Sequence, residues 1–83
     1  MIPVLIGEAV RACIIALCQE RDMSINHLSN ISGVTQSTVN NIVSGRNRSA
    51  TISTIKKLCD GFGITIQAFF DDELFRDLEQ EVQ

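Results

Sequence analysis

Four side chains that can form hydrogen bonds stand together in the segment GVTQSTVNNIVSG, residues 33–45: Gln36, Ser37, Asn40 and Asn41. Each amide or hydroxyl both donates and accepts, so the set is equipped to read a pattern of polar groups on another surface. Two cations, Arg46 and Arg48, follow within three residues of Gly45, and no acid lies between Met23 and Cys59. Guanidinium groups hold anionic oxygens in fixed, often bidentate geometry. The chemistry these residues suit is therefore recognition of a polar, anionic partner.

Bond-making chemistry is poorly served by contrast. His27 is the only histidine, and a nucleophile needs a base beside it and an activating environment. Cys13 and Cys18 are five residues apart, which turns them about 140° from each other on a helix, an unsuitable arrangement for chelation. The three cysteines, Cys13, Cys18 and Cys59, form no CxxC pair and fall where a helix wants small apolar side chains. They read as reduced core residues. His27 reads as a surface residue, and neither an enzymatic activity nor a cofactor or metal is expected.

The elements that must position the recognition set are all helical, because apolar residues recur at three- and four-residue intervals without sustained alternation. A first helix, about Gly7 to Arg21, gathers Val10, Cys13, Ile14, Leu17 and Cys18 on one face. Ser24 is suited to cap a second helix over Ile25–Ser32, with Leu28 and Ile31 apolar. Gly33 then supplies the positive φ of a sharp reversal. Thr35 caps a third helix over Gln36–Ser44, whose inner face is Val39 and Ile42, with Val43 beside them. Gly45 ends it, Arg46–Ser49 forms a basic loop, and Thr51 caps a fourth helix through Phe62. Thr65 caps a short fifth with Ile66, Phe69 and Phe70.

With 83 residues the chain makes one small domain, too small for two lobes around a deep cleft. It has no run of eighteen apolar residues, and MIPVLI lacks the pattern of an export signal, so a cytoplasmic protein is expected. The net charge of -3 is unevenly spread. Residues 1–70 carry six basic and four acidic groups, and residues 71–83 carry Arg76 against six acids. Screening limits surface fields to about 8 Å at physiological salt, so a bound phosphate feels Arg46, Arg48, Lys56 and Lys57 more than the tail. Lys56 and Lys57 serve equally well as attraction or as a solvated helix face.

These residues carry a resemblance. Met23-Ser24, Leu28-Ser29, Ser32-Gly33-Val34-Thr35, Ser37-Thr38-Val39, Ile42 and Gly45 make its first half. Thr51-Ile52, Leu58-Cys59, Phe62-Gly63-Ile64-Thr65 and Phe69-Phe70 make the second. In them the chain from about Gly7 to Phe70 resembles a phage-repressor/Cro type (XRE-like) helix-turn-helix domain. The resemblance implies a compact five-helix, all-α domain, residues 1–70, whose second and third helices form the DNA-binding unit with the third in the major groove. The implied partner is double-stranded DNA, a pseudo-palindromic operator bound by a homodimer, and the implied role is transcription regulation, most simply repression.

On that footing Gln36, Ser37, Asn40 and Asn41 are the candidate base readers, with Gln36 best placed because glutamine pairs bidentately with adenine. Ser24, Asn26, Ser44, Arg46, Asn47 and Arg48 are the candidate phosphate contacts. Many family members pair an arginine late in the first helix with a glutamate near the end of the third. Here the aligned positions are Cys18 and Val43, so a contact between these two apolar side chains is expected. Gly61 inside the fourth helix costs about 1 kcal/mol relative to alanine, and only a close helix contact would account for it.

The ends are open to more than one reading. In the acidic extension 71–83, Leu74, Phe75, Leu78 and Val82 have helical spacing, which leaves open a further C-terminal helix. That stripe can pair with a second copy or fold over Phe69 and Phe70. Residues 1–6 are another apolar contact surface. Two alternatives stand beside the regulator: an antitoxin whose acidic tail holds a basic protein, and an interaction module that has lost DNA binding.

Overall fold

The computed structural model of the protein describes residues 5–80. Five α-helices follow one another: α1 Ile6–Glu20, α2 Ile25–Ser32, α3 Gln36–Val43, α4 Ile52–Phe62 and α5 Ile66–Phe70. The all-α, five-helix architecture is the one expected. The bounds of α2 and α4 coincide with the expected ones, α1 lies one residue earlier, and Ser44 caps α3 at its C-terminus instead of continuing it.

Four hydroxyls set the helix starts. Ser24 accepts from the His27 amide, Thr35 from Thr38, Thr51 from Thr54 and Thr65 from Ala68. Each satisfies one amide that the first turn leaves free, a contribution of about 1 kcal/mol. Gly33 ends α2 in the left-handed region at φ 73°, and the Ser29 hydroxyl donates to the Val34 carbonyl at 2.6 Å, closing the reversal into α3. Val34 itself is buried and pins the turn to the core.

The core is built by every helix. Ile14 from α1, Leu28 from α2, Val39 and Ile42 from α3, Leu58 and Cys59 from α4, and Phe69 from α5 are essentially inaccessible. α1 packs on α3, α2 on both α3 and α4, and α4 on α5. Two close approaches involve glycines. A Cβ on Gly61 would lie 2.9 Å from the Ser32 Cβ, so α4 crosses the end of α2 at a distance that only glycine permits. This explains a residue that is costly by propensity alone. A Cβ on Gly7 would lie 2.5 Å from the Arg48 carbonyl oxygen, so the basic loop rests directly on the first turn of α1.

All three cysteines are buried and free. Burial raises each thiol above its ordinary range, and Cys13, with the Asp72 carboxylate adding to the effect, is pushed up to about 11. The Cys13 Sγ donates to the Phe69 carbonyl at 3.7 Å, a use that needs the proton in place.

The acidic extension departs from the helical option left open above. Among its described residues, 71–80, the one helical element is a 3-10 turn, Glu73–Phe75, capped by the Asp72 carboxylate accepting from the Leu74 amide. The turn packs against α1, and the Phe75 ring lies tilted 5.8 Å from that of Phe69 and edge-on 4.8 Å from that of Phe70. Leu74 and Phe75 thus cover the domain's own core, the intramolecular one of the two readings. A helix through this stretch would place Glu73 and Asp77 one turn apart, where like charges repel. The expectations for residues 1–4, and for Val82, lie outside the described residues.

Candidate nucleic-acid interface

α3 is held by one face and free on the other. Val39 and Ile42 anchor it in the core, while Gln36, Ser37 and Asn40 are exposed and Asn41 is half-buried. The Thr35 cap fixes the start of the helix, and the Thr35 and Thr38 hydroxyls lie 2.8 Å apart. Two successive turns of polar side chain therefore stand outward from a rigid support. The 3-10 turn of the acidic extension packs against α1.

α2 reaches the same surface. The Asn26 Nδ2 donates to the Gln36 Oε1 at 3.2 Å, and the Asn30 Nδ2 donates to the Asn26 Oδ1 at 2.9 Å. A line of amides thus runs from α2 to the leading residue of α3. Gln36 keeps both hydrogens of its own amide and a second lone pair on Oε1, which is what a bidentate contact to a base edge requires. Asn30 was not singled out by the sequence; its position four residues after Asn26 on a helix is the signal that could have found it.

The basic loop closes the other end of α3. Ser44 donates to the Asn41 carbonyl at 3.3 Å and accepts from the Arg46 amide at 3.5 Å. The Asn47 amide donates to the Asn41 carbonyl, and its side chain accepts from the Ser49 amide, each at 2.9 Å. Asn47 is therefore half-buried and engaged in shaping the loop, with its own NH₂ group remaining. Arg46 and Arg48 are exposed, and the Arg48 Nε donates to the Gly45 carbonyl at 3.4 Å. Ser24 is exposed at the start of α2, its hydroxyl engaged in the cap.

Arg11 is a second residue that the sequence did not single out. Its Nε donates to the Val43 carbonyl at 2.6 Å, across 32 residues, so α1 clasps the last turn of α3. Cys18 and Val43, the pair expected to meet, line one open apolar groove with Ile15, Met23 and Ile25, and Val43 packs on the cluster that contains Cys18. Exchanging a buried ion pair for packed apolar groups costs little when both partners change together. None of Gln36, Ser37, Asn40 and Asn41 lines this groove.

His27 lies exposed, and among the described residues no group of His, Cys, Asp and Glu side chains is placed to hold a metal ion. No helix among them is long and apolar enough to cross a membrane.

The family model for the Cro/C1-type HTH DNA-binding domain matches residues 14–73. The chain belongs to that family. No curated protein matches it. Among solved structures, the prophage Lp1 protein 11 is similar at 35% identity with a TM-score of 0.74, over 87% of this chain and 95% of that one. In a Cro/C1-type domain α2 and α3 are the helix-turn-helix, and the amide face and the arginine loop lie on and beside that unit.

Proposed function

We propose that the protein is a sequence-specific regulator of transcription that reads the major groove of double-stranded DNA with α3 and acts as a repressor. The observation that carries the reading is the outward face of Gln36, Ser37 and Asn40, held on a core-anchored helix beside an exposed arginine loop. Gln36 leads, oriented by Asn26, and pairs with adenine; Ser37, Asn40 and Asn41 extend the contact along the groove. Arg46 and Arg48 grip the backbone at one end of α3, with Ser44 and Asn47 beside them, and Ser24 and Asn26 approach it at the start of α2. A homodimer on a pseudo-palindromic operator in the cytoplasm completes the reading, since one unit of this size spans few base pairs.

The antitoxin alternative needed an apolar stripe on the acidic extension for its partner. Leu74 and Phe75, in the extension 71–83, are engaged with the protein's own core and aromatic cluster, so these two side chains are not offered to such a partner. No catalytic role or cofactor is assigned.

Selection of binding sites from random duplex DNA at two salt concentrations tests the proposal. An enriched, two-fold symmetric motif, with affinity falling by about 0.9 log unit per neutralised phosphate for each log unit of salt, is expected. Absence of retention on any duplex at low salt would leave the interaction module as the better reading.

A further inference from the structure

We infer that Arg11 is a ligand for a DNA backbone phosphate, which it shares with Arg48 at the junction of α1, the end of α3 and the basic loop. The inference rests on the major-groove reading and adds to it a helix, α1, that the reading did not use.

Arg11 has five N–H donors, and the bond from Nε to the Val43 carbonyl engages one. That bond fixes the plane of the guanidinium and leaves the two NH₂ groups free. They border a shallow depression whose other walls are Gly7, Glu8, Ser44, Gly45 and Arg48. Arg48 is held from the opposite side by its own Nε bond to Gly45, and the contact of the loop with Gly7 sets how far it stands from α1. Two guanidiniums are thus fixed around one hollow.

Among the described residues no acid forms an ion pair with either guanidinium. The ion pairs among the described residues are Arg21–Glu20 and Lys56–Asp60; Glu8, on the rim, pairs with neither arginine. Two like charges braced around a hollow repel one another, and an anion between them removes that cost. A phosphodiester suits the place, since its two free oxygens accept from two guanidiniums at once. The hollow adjoins Ser44 and Gly45, directly past the end of the groove-reading helix, where the backbone of a duplex carrying α3 in its groove must pass.

A cap on α3 is the competing role for Arg11, and salt dependence separates the two. Binding to a selected duplex and to a random duplex is followed across a salt series for the wild type, Arg11→Gln and Arg11→Lys, with melting temperatures measured alongside. Arg11→Gln should make the slope of log K against log salt shallower by about 0.9 and weaken both duplexes by the same factor. Arg11→Lys keeps the charge and should keep the slope even where the melting temperature falls. Glu8→Gln, on an exposed first turn, serves if Arg11→Gln does not fold. Removing the acid from the rim should tighten binding to both duplexes about threefold at low salt and have little effect at high salt. An Arg11→Gln slope equal to wild type, or an unmoved Glu8→Gln affinity, overturns the inference while leaving the groove reading intact. Failure of the wild type to bind either duplex overturns both.

Discussion

Gly7→Ala tests how the basic loop is held, and its effect follows from a single contact. The added Cβ would stand 2.5 Å from the Arg48 carbonyl oxygen and 3.0 Å from the Arg48 Cβ, where ordinary contact begins at 3.4 Å. The obstacle is backbone, so the loop must retreat by close to an ångström. Overpacking by one methyl group costs about 1–3 kcal/mol. Helix propensity returns at most about 1 kcal/mol, and less in a first turn that frays. A net loss of about 1 kcal/mol remains, which for a domain of this size lowers the melting temperature by about 4–8 °C. The displacement carries Arg48 with it. One misplaced charge-assisted hydrogen bond weakens DNA binding about tenfold, equally for all sequences, because a phosphate contact carries no sequence information. Thermal melting by circular dichroism and titration against a selected and a random duplex read both effects. A variant that melts at or above the wild-type temperature with unchanged affinity would show that the loop does not rest on α1.

Three further outcomes follow from the fold. Gly61→Ala should destabilise the protein by about 1–2 kcal/mol in urea melts despite its better helix propensity, since its Cβ meets Ser32 at 2.9 Å; a stabilised variant would contradict the close crossing of α2 and α4. Gly33→Ala has open space around it but sits at φ 73°, so it should cost about 1–2 kcal/mol through the backbone alone, and Gly33→Asn less; equal costs would refute the left-handed turn. Cys13 has a folded pKa of about 11, above its ordinary 9.0, so the unfolded chain loses this proton first as pH rises. The associated stability is fully present below about pH 9 and is lost as pH approaches 11, and Cys13→Ala should flatten that decline in melts taken across the alkaline range.

How much of this was legible in the sequence depended on whether the determining contacts were local. Ser24, Thr35, Thr51 and Thr65 act within three residues of themselves, and Gly33 and Gly63 act on their own φ, so the helices from α2 onward could be bounded from the string. The outward set on α3 was legible for the same reason: period 3.6 places Val39 and Ile42 on one side and Gln36, Ser37 and Asn40 on the other. The contacts that arrange the interface join distant parts of the chain and left no local mark. Gly7 against Arg48, Arg11 against Val43 and Gly61 against Ser32 each span 29 residues or more. The amide line from Asn30 through Asn26 to Gln36 crosses a turn whose angle the residue types do not state. In the acidic extension the apolar spacing suggested a helix, but the aromatic rings of Phe69 and Phe70 captured Phe75 within a single turn.

The central claim is that the amides of α3 choose the sequence while the arginines supply the grip. The ratio of affinities for a selected duplex over a random one, measured at one salt concentration for the wild type, Gln36→Ala and Arg48→Ala, tests it most directly. Gln36→Ala should reduce that ratio by about tenfold to a hundredfold, the discrimination one bidentate base contact provides. Arg48→Ala should weaken both affinities and leave the ratio where it was. A Gln36→Ala protein that keeps the wild-type ratio, or an Arg48→Ala protein that loses it, would contradict the claim.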